Sequence, residues 1–448
     1  MKGRRSWVFG GDSAQAGSRG GRLARKRLLG LLVALLLLAA RAEAVPPHFA
    51  YTELPTLSGG PDVPIAVATV GANQTITVGA AQTVTVGASK AVAWECTGAT
   101  CALVELPSAE SSLATGVFCE ATTDCIAVGW FEDTGGQHQP VAWLRTAGSW
   151  SAETLPLPSG QVTGEALAVT VDASGRAAAC GTTASATNEN SSCWVRVAQT
   201  WSSVPLPGLG AGLASAALEV ATLPSDGNTL VAAGRAQDAA GRVLPVLWQE
   251  QIGGTFAGPT TLPLSGSDDA NATGVEAIDP STYLVTGTGF PTTGEVGLLW
   301  RVSVAGGDPD RPIIVGSVPN TTSVVIKGKK ILQNFAAFPG ATDGASGARG
   351  ALFLWDLVAP APEYFDLNEL VDAPPGVVIA SGNGVAIRDG TSATILIAEA
   401  QPGPTRAVLL VETSEIPALP GAAPALLLLA VLLAAGAVIV GPAARGRH

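Results

Sequence analysis

The chain has 448 residues, of which 47% are hydrophobic and only 14% charged, and it contains 54 Gly and 31 Pro. Gly and Pro spaced between short Val-, Thr- and Leu-rich runs favour strands and turns over helices, so we expect an all-β protein. The formal net charge is −11; residues 1–44 carry nine Lys/Arg and two Asp/Glu, so the remainder has 16 basic and 34 acidic residues, a balance of −18. A surface of this sign repels phosphate backbones, which excludes nucleic acid as a partner.

The first 44 residues have the composition of an export signal. Basic residues cluster from Arg19 to Arg27, an apolar core runs from Leu28 to Ala40, and Ala42-Glu43-Ala44 is a small-x-small cleavage site. The apolar core is short for a membrane span, which needs roughly 20 residues. We therefore predict a signal peptide at 1–44 and an exported protein from 45 onward. A retained N-terminal anchor is the alternative.

Tryptophan recurs through residues 45–412 at a nearly constant interval. Successive members of the series are 49, 51, 54, 52 and 55 residues apart, and all but one follow an apolar pair. A seventh copy, Ala407 to Val411, has Leu in the Trp position. The series consists of Trp94, Trp143, Trp194, Trp248, Trp300 and Trp355.

Glycine keeps step with tryptophan. Gly129, Gly181, Gly234 and Gly287 end small apolar runs 13 or 14 residues before a Trp, and Gly79 lies 15 residues before one. A further short strand precedes each glycine, and a Leu-Pro segment follows the Trp. Each copy of about 52 residues thus holds four predicted strands, the last being the Leu-Pro segment. Four strands at such a period are typical of a β-propeller blade.

We predict an all-β propeller of about seven four-stranded blades spanning 45–412, with six or eight blades as alternatives. The recurrent Trp side chains are expected to fill the space between neighbouring sheets, where a large ring buries most area. The last copy lacks a fourth strand after Val411, and the segment Tyr51–Leu57 has the matching pattern. An N-terminal strand that completes the last blade would remove the exposed sheet edge.

The repeat resembles the extracellular propeller-like repeats of bacteria called HAF repeats. In these, a strand ending in an Asn/Asp-Gly turn is followed by a Val-Gly strand and an aliphatic-Trp strand. Ala168–Trp194 and Tyr364–Val411 match most closely, and Gly116–Trp150 also looks like secreted bacterial repeats. The resemblance covers most of residues 50–412 and implies the propeller fold, with no catalytic motif to transfer.

Six cysteines fall in three close pairs. An even number in an exported chain favours disulfides, and the predicted strands favour pairing within each close pair. Zinc ligation is the alternative, although the chain has no Cys-x-x-Cys pair and no His near these cysteines. The pairs are Cys96 and Cys101, Cys119 and Cys125, and Cys180 and Cys193.

Residues suited to catalysis are scarce. The chain has three histidines, His48, His138 and His448, and only His138 falls within the repeats, in a loop expected to be a solvated hairpin. One histidine is too few for a Ser-His-Asp triad or a His-rich metal site. We find no phosphate-binding glycine loop, nucleophile elbow or EF-hand spacing. We therefore expect no catalytic, cofactor-binding or metal-binding residues, and no enzyme.

Acidic turns recur with the repeat. Asp172, Asp226 and Asp279 follow the first strands of their copies at intervals of 54 and 53 residues, and Asp389 does the same in the last copy. Equivalent turns of a propeller lie on one face, so these carboxylates are candidates for a ring that binds a cation or a cationic ligand. The alternative is that Asp suits tight turns by accepting hydrogen bonds from its own backbone.

The C-terminal tail is predicted to reach a membrane. Residues 422–440 are an apolar run of 19, just long enough to cross a hydrocarbon core of roughly 30 Å. Arginines within 441–448 place this tip in the cytoplasm and the ectodomain outside. In the linker 413–421, Ile416 to Leu419 resembles the motif of bacterial IPTL-type sorting signals, with Ala in place of Thr. That resemblance implies a sorting protease as a partner; a permanent membrane anchor is the alternative.

These observations predict an exported, membrane-anchored or surface-sorted propeller that binds or scaffolds, with a protein or a glycan as its ligand and without a cofactor. One alternative is a propeller glycan hydrolase or lyase that acts through paired carboxylates. The other is a purely structural envelope protein. Because fold does not determine function, the choice depends on the site.

Overall fold

The computed structural model describes residues 47–413, apart from short internal segments. The predicted signal peptide, the helix at 422–440, the cytoplasmic tip, nearly all of the linker and Asp389 lie outside the described residues. No helix in the described part of the chain is long and apolar enough to cross a membrane. The internal segments left out are 58–59, 71–72, 83–88, 109–110, 122–123, 224–225, 252–253, 265, 293, 305–308, 310–311, 316–320, 327–329, 333–334, 345–347, 358–361, 388–393 and 402–404.

The described residues form strands, with one short helix. The elements are β1 (Phe49–Glu53), β2 (Asp62–Val70), β3 (Gln74–Gln82), β4 (Ser89–Thr97), β5 (Thr100–Glu105), β6 (Ser112–Ala121), β7 (Asp124–Glu132), β8 (His138–Thr146), β9 (Ser149–Thr154), β10 (Thr163–Val171), β11 (Ala177–Ala184), β12 (Glu189–Val197), β13 (Thr200–Pro205), β14 (Ser215–Thr222), β15 (Leu230–Gln237), β16 (Val243–Gln251), β17 (Thr255–Phe256), β18 (Thr260–Thr261), β19 (Asp269–Asp279), β20 (Thr282–Phe290), β21 (Val296–Ser303), β22 (Ile313–Val315), β23 (Thr321–Ile326), β24 (Lys330–Leu332), β25 (Phe335–Gly344), β26 (Arg349–Asp356), β27 (Glu363–Asp366), α1 (Leu367–Leu370), β28 (Val378–Ile387), β29 (Thr394–Gln401) and β30 (Arg406–Glu412).

These strands form seven antiparallel sheets, which we call blades 1 to 7 in chain order. Blade 1 is β2–β5, blade 2 is β6–β9, blade 3 is β10–β13 and blade 5 is β19–β22; blades 4 (β14–β18) and 6 (β23–β27) each have one extra short strand. Blade 7 is β28–β30 together with β1. The prediction of a seven-bladed propeller of four-stranded blades is confirmed.

The N-terminal strand completes the last blade. β1 pairs with β30 from Phe49 opposite Glu412 to Glu53 opposite Val408. The strand is shorter than the predicted segment 51–57, because the chain leaves the sheet after Glu53 and turns towards blade 1. Leu54, at the turn, is 1% exposed and packs in one cluster with residues of blades 1 and 7.

The Leu-Pro segments are not the fourth strands, which corrects the sequence-based assignment. In blade 2 the fourth strand is β9, and Leu155-Pro156 begins directly after it. The Leu155 N–H still donates to the Pro140 carbonyl of the third strand, at 2.9 Å. Pro156 has no N–H with which to continue the ladder, so the strand ends there and the chain crosses to the next blade.

The Leu-Pro segments and the recurrent tryptophans are partners. All six Trp side chains are fully buried. In five of them, the indole N–H donates to the Pro carbonyl of the preceding Leu-Pro segment, so each Trp links its own blade to the one before. The pairs are Trp94 with Pro55 at 2.8 Å, Trp143 with Pro107 at 2.9 Å, Trp194 with Pro156 at 2.8 Å, Trp248 with Pro207 at 2.7 Å and Trp300 with Pro263 at 2.9 Å.

The recurrent glycines lie on the second strands, where each faces a β-bulge in the first strand. In blade 3, Gly181 is opposite Ala166, and the register then skips Leu167. A Cβ on Gly181 would lie 2.0 Å from the Glu165 carbonyl oxygen, so only glycine allows the strands to come this close. The same arrangement recurs at Gly79, Gly129, Gly234 and Gly287, with distances of 1.9 to 2.1 Å.

The three predicted disulfides are present. Each joins residues directly opposite in neighbouring strands, with Cα–Cα distances of 4.0 to 4.1 Å. Disulfides persist in oxidising compartments, so they indicate an extracytoplasmic location. The bonds are Cys96–Cys101, Cys119–Cys125 and Cys180–Cys193.

Candidate functional site

The first strands of six blades line the propeller axis, and the bulges determine which side chains these strands place there. A pocket of about 250 Å³ is lined by the extra residues of the bulges in five blades and by Asn383 of blade 7. It adjoins a larger pocket of about 530 Å³, with which it shares Val67, Val117, Glu219 and Val385. Because six first strands contribute to the walls, both pockets lie on the axis. We call them together the axial cavity. The bulge residues are Ile65, Thr115, Leu167, Leu218 and Thr273.

Two carboxylates line the axial cavity. Glu219 lies on β14, directly after the bulge, and Glu276 lies on the neighbouring first strand, β19. Glu219 is one residue pair along the strand from the pair that contains Gly234, and Glu276 is three residue pairs from the pair that contains Gly287. Relative to these equivalent glycines, the two glutamates therefore differ by two positions, or about 7 Å along the strand direction. The other described lining residues are small, aliphatic or hydroxylic, together with Phe118, Cys119 and Asn383. These two residues are therefore its only described acidic groups.

Polar bulge residues hold the wall of the axial cavity in place. The Thr115 hydroxyl donates to the Ala166 carbonyl of blade 3 at 2.6 Å. The Asn383 amide donates to the Pro64 carbonyl of blade 1 at 2.8 Å and to Glu399 at 2.7 Å. Both bonds to carbonyls cross from one blade to the next, so the first strands are fixed to each other around the axis.

A second cavity opens between blades 2 and 3. This inter-blade cleft has a volume of about 590 Å³, and the turns between first and second strands and between third and fourth strands form its walls. Glu120 and Asp124 flank the β6–β7 turn and are exposed, while Gln199 lies in the β12–β13 turn. The cleft therefore opens on the face that carries these turns, which we call the turn face.

Two repeated ion pairs support the outer wall of the cleft. Arg145 donates twice to Glu95 of blade 1, at 2.9 and 2.8 Å, and the Trp150 indole donates to the same carboxylate. One blade further on, Arg196 and the Trp201 indole bind Glu153 in the same way. Each carboxylate is thus held by a guanidinium and an indole of the following blade.

The predicted ring of acidic turns divides into separate local structures. Asp172 is buried; burial alone would raise its pKa, but hydrogen bonds from Ser174 and Arg176 outweigh this effect and hold the pKa below its usual value. Arg176 also binds Glu250 of blade 4 at 2.7 Å, so this turn joins two blades.

The other two turns use their carboxylates internally. Asp226 accepts hydrogen bonds from the backbone and hydroxyl of Thr229, and Asp279 from the hydroxyl and backbone of Ser281; these bonds lower both pKa values. Neither these residues nor Asp172 line the axial cavity or the cleft, and the described residues contain no group of three or more potential metal ligands. A ligand role for the acidic turns stays a prediction.

His138 is not the solvated hairpin residue that we expected. Its Nδ1 lies 2.6 Å from Glu165 Oε1 of blade 3, and its ring stacks on Trp130 with centroids 3.7 Å apart. Glu165 is 27 residues away in the chain, so the contact depends on how blades 2 and 3 pack. It lies on the face opposite the turn face.

Sequence reasoning also missed Glu219 and Glu276. A signal was available, because both interrupt first strands that otherwise contain mainly Ala, Val, Thr and Gly. Recognising it required the position of the first strands at the axis, which follows only from the closed ring.

Solved structures resemble this chain only at low sequence identity. No family model and no curated protein matches the chain, so the resemblance to HAF repeats stays a prediction. Three solved structures are similar: the polysaccharide lyase Uly1 (10% identity, TM-score 0.49, covering 83% of this chain and 94% of that one), the β-propeller domain of the Trilobed protease from Pyrococcus furiosus (8%, 0.47, 80% and 95%) and a sialidase of Trypanosoma rangeli (12%, 0.46, 84% and 58%). The chain thus spans just over half of the sialidase's length, and at these identities the likeness concerns the fold alone.

We expected no enzyme, because histidines are scarce and the common catalytic motifs are missing. That expectation is wrong. Sialidases, a polysaccharide lyase and a family-43 glycoside hydrolase are among the solved structures that resemble this chain. The exclusion of an enzyme is therefore withdrawn.

Proposed function

We propose that this chain is an exported propeller that binds a glycan in the axial cavity, with Glu219 and Glu276 as the polar groups that orient the sugar. The observation that carries the proposal is the meeting of these two carboxylates in a cavity of about 530 Å³. Ligand pockets commonly have this size and combine apolar walls with a few convergent polar groups. Carboxylates accept hydrogen bonds from sugar hydroxyls, and bonds to a charged group contribute about 1.5–3 kcal/mol each.

Cleavage of the bound glycan is the second candidate function. Glycoside hydrolysis generally uses a pair of Asp or Glu residues on either side of the scissile bond. Glu219 and Glu276 come from neighbouring blades and enter one cavity, which supports this role. In that case one would act as the general acid, and the other as the nucleophile or the general base.

The place of action follows from export. The disulfides support an extracytoplasmic site, and the predicted tail supports attachment to the membrane or transfer to the cell surface. A propeller displayed in this way would meet glycans of the envelope or the surroundings.

Glycan binding is tested with the full-length protein on an array of neutral, amino and acidic oligosaccharides. We expect binding by the wild type and a tenfold or greater loss of affinity in Glu219→Gln and in Glu276→Gln, because each loses a charged acceptor. Glu105→Gln is the matched control, since Glu105 is exposed on an outer strand, away from both cavities. Binding that is absent for every sugar, or unchanged in both cavity variants, would contradict the proposal.

The same preparations decide between binding and cleavage. Release of new reducing ends without an ultraviolet-absorbing product indicates hydrolysis, whereas new reducing ends together with an ultraviolet-absorbing unsaturated product indicate a lyase. We expect activity, where present, to fall by several orders of magnitude in both cavity variants but not in Glu105→Gln. Strong binding without either product would limit the function to recognition.

A further inference from the structure

We infer that the axial cavity and the inter-blade cleft form one continuous groove, and that its ligand is an extended oligosaccharide that carries amino groups. The inference rests on the proposed function and specifies the class of glycan. It predicts several sugar units bound in a line, from the axis outward along the seam between blades 2 and 3.

The two cavities meet at Phe118. This side chain lines both of them, and the residues on either side of the boundary are neighbours in the chain. Cys119 lines the axial cavity and Glu120 the cleft; on β10, Thr170 lines the axial cavity and Val171 the cleft. A ligand that leaves the axis beside Phe118 therefore enters the cleft directly.

Both cavities also lie towards the same face. The axial cavity is lined by the last residues of the first strands, such as Thr69 and Thr222, which lead into the turn face. The cleft is lined by turns of that face, including Thr146 and Gly175. A linear ligand can thus occupy both without passing through the propeller.

A disulfide stiffens the part of the wall that the two cavities share. Cys119 lines the axial cavity, Cys125 lines the cleft, and their bond closes the β6–β7 turn. The same turn holds Glu120 and Asp124 at the mouth of the cleft. A groove that is fixed before binding loses less conformational entropy when the ligand enters.

The charge of the groove selects the ligand. The described acidic residues of its lining are Glu120, Asp124, Glu153, Glu219 and Glu276, and the described basic residues are Arg145 and Arg196. Both guanidiniums are already bound to carboxylates. The excess of negative charge favours an ammonium-bearing sugar over a neutral one and disfavours an acidic one.

The volumes of the two cavities favour an elongated ligand. The axial pocket of about 530 Å³ and the cleft of about 590 Å³ would each hold a small ligand alone. A ligand that fills both and passes from one to the other beside Phe118 must be a chain. Affinity should therefore rise with the number of sugar units until the cleft is filled.

The experiment measures affinity for glucosamine oligomers of one to six units by titration calorimetry, with N-acetylated oligomers of the same lengths as the charge control. The full-length wild type is compared with the double variant Glu120→Gln/Asp124→Asn. We expect the double variant to bind the hexamer at least tenfold more weakly and the monomer unchanged, because only long ligands reach the cleft. Glu105→Gln/Glu363→Gln is the matched control, since it removes two exposed charges outside the groove.

Phe118→Leu is a second, independent variant. It should weaken binding of the hexamer at least severalfold more than binding of the monomer, because only the longer ligand passes from one cavity to the other beside this side chain. An equal loss for both ligands would contradict the continuous groove. The wild type should also bind the amino hexamer at least tenfold more tightly than its N-acetylated counterpart, with a difference that shrinks in high salt.

The outcomes separate the two proposals. Affinity that is independent of chain length, or equal for the hexamer in wild type and double variant, overturns the continuous groove while glycan binding at the axis stands. Binding of no oligomer in this series, together with binding of other sugars that depends on Glu219, overturns the amino-sugar assignment alone. Absence of all sugar binding overturns both, and tighter binding of a lysine hexapeptide than of the glucosamine hexamer assigns the groove to a basic peptide instead.

Discussion

Asp62 stands out among the buried side chains. It is 1% exposed at the start of β2, where blade 1 meets blade 7, and neither carboxylate oxygen has a hydrogen-bond partner in the described part of the chain. Burial raises its pKa to about 6. Blades 2 and 4 have Ser112 and Ser215 at the same register position, and each of these hydroxyls accepts an N–H of the preceding blade. Asp62 is therefore a charged group at a position that elsewhere holds a neutral one.

The stability of the propeller should depend on the ionisation of Asp62. The pKa in the folded protein exceeds that in the unfolded chain, so the folded state binds the proton more tightly, and this stabilisation is lost as the pH rises from about 4 through 6. We therefore expect the change in the free energy of unfolding caused by Asp62→Ser to be more stabilising at pH 8 than at pH 4, by about 2–3 kcal/mol. Urea unfolding between pH 4 and 8 measures this, with the exposed Glu363→Gln as control. An equal effect of Asp62→Ser at both pH values would contradict the prediction.

At the scale of single elements, the pairing of each glycine with a bulge explains the first half of the repeat. The bulge adds one residue to the first strand, and that residue faces the axial cavity. The close approach of the strands requires glycine on the second strand. The recurring glycine thus reflects a close contact between two backbones. The recurring Trp and Leu-Pro segment reflect the hydrogen bond from the indole to the Pro carbonyl.

Substitution of one such glycine should be costly. In Gly181→Ala the new Cβ would lie 2.0 Å from the Glu165 carbonyl oxygen, so the bulge or the second strand must move. We expect a loss of about 3 kcal/mol or more in the free energy of unfolding. Gly258→Ala is the matched control, because nothing lies within 4 Å of its Cβ position, and its effect should be within about 0.5 kcal/mol. Similar stability of the two variants by thermal unfolding would refute this account of the bulge.

The position of the fourth strands shows where element prediction fails. The Leu-Pro segments were assigned as strands because they recur after each Trp. In the structure the six-residue strands β5, β9 and β13 come first, and proline ends them. Segments such as Ser149–Thr154 contain few apolar residues, because the outermost strand of a blade has little to pack against.

At the scale of the whole molecule, the ring depends on its closing strand. β1 pairs with β30, and Leu54 packs between blades 7 and 1. The Arg406–Glu53 ion pair, at 2.7 Å, joins the same two strands on the surface. Closure thus involves contacts between residues more than 350 positions apart in the chain.

Leu54→Ala should destabilise the ring as much as the equivalent change at another seam. Leu106 has the same 1% exposure at the seam between blades 1 and 2, so Leu106→Ala is the matched control. We expect each to cost about 2–5 kcal/mol. Hydrogen exchange should show the faster opening in β1 and β30 for Leu54→Ala, and in β5 and β6 for Leu106→Ala. A much smaller loss in the free energy of unfolding for Leu54→Ala would show that the ring does not depend on the packing of Leu54 between blades 7 and 1.

The sequence by itself predicted about seven blades, the number of strands in each, the N-terminal segment that closes the ring and the three disulfides. These features depend on contacts within one copy or between consecutive copies, so they leave a period in the chain. Only the tertiary structure decided that Glu219 and Glu276 share a cavity, that His138 meets Glu165, and that Phe118 lines both the axial cavity and the cleft. Those positions belong to single copies, and their distances are set by how seven sheets pack around one axis, which no local pattern encodes.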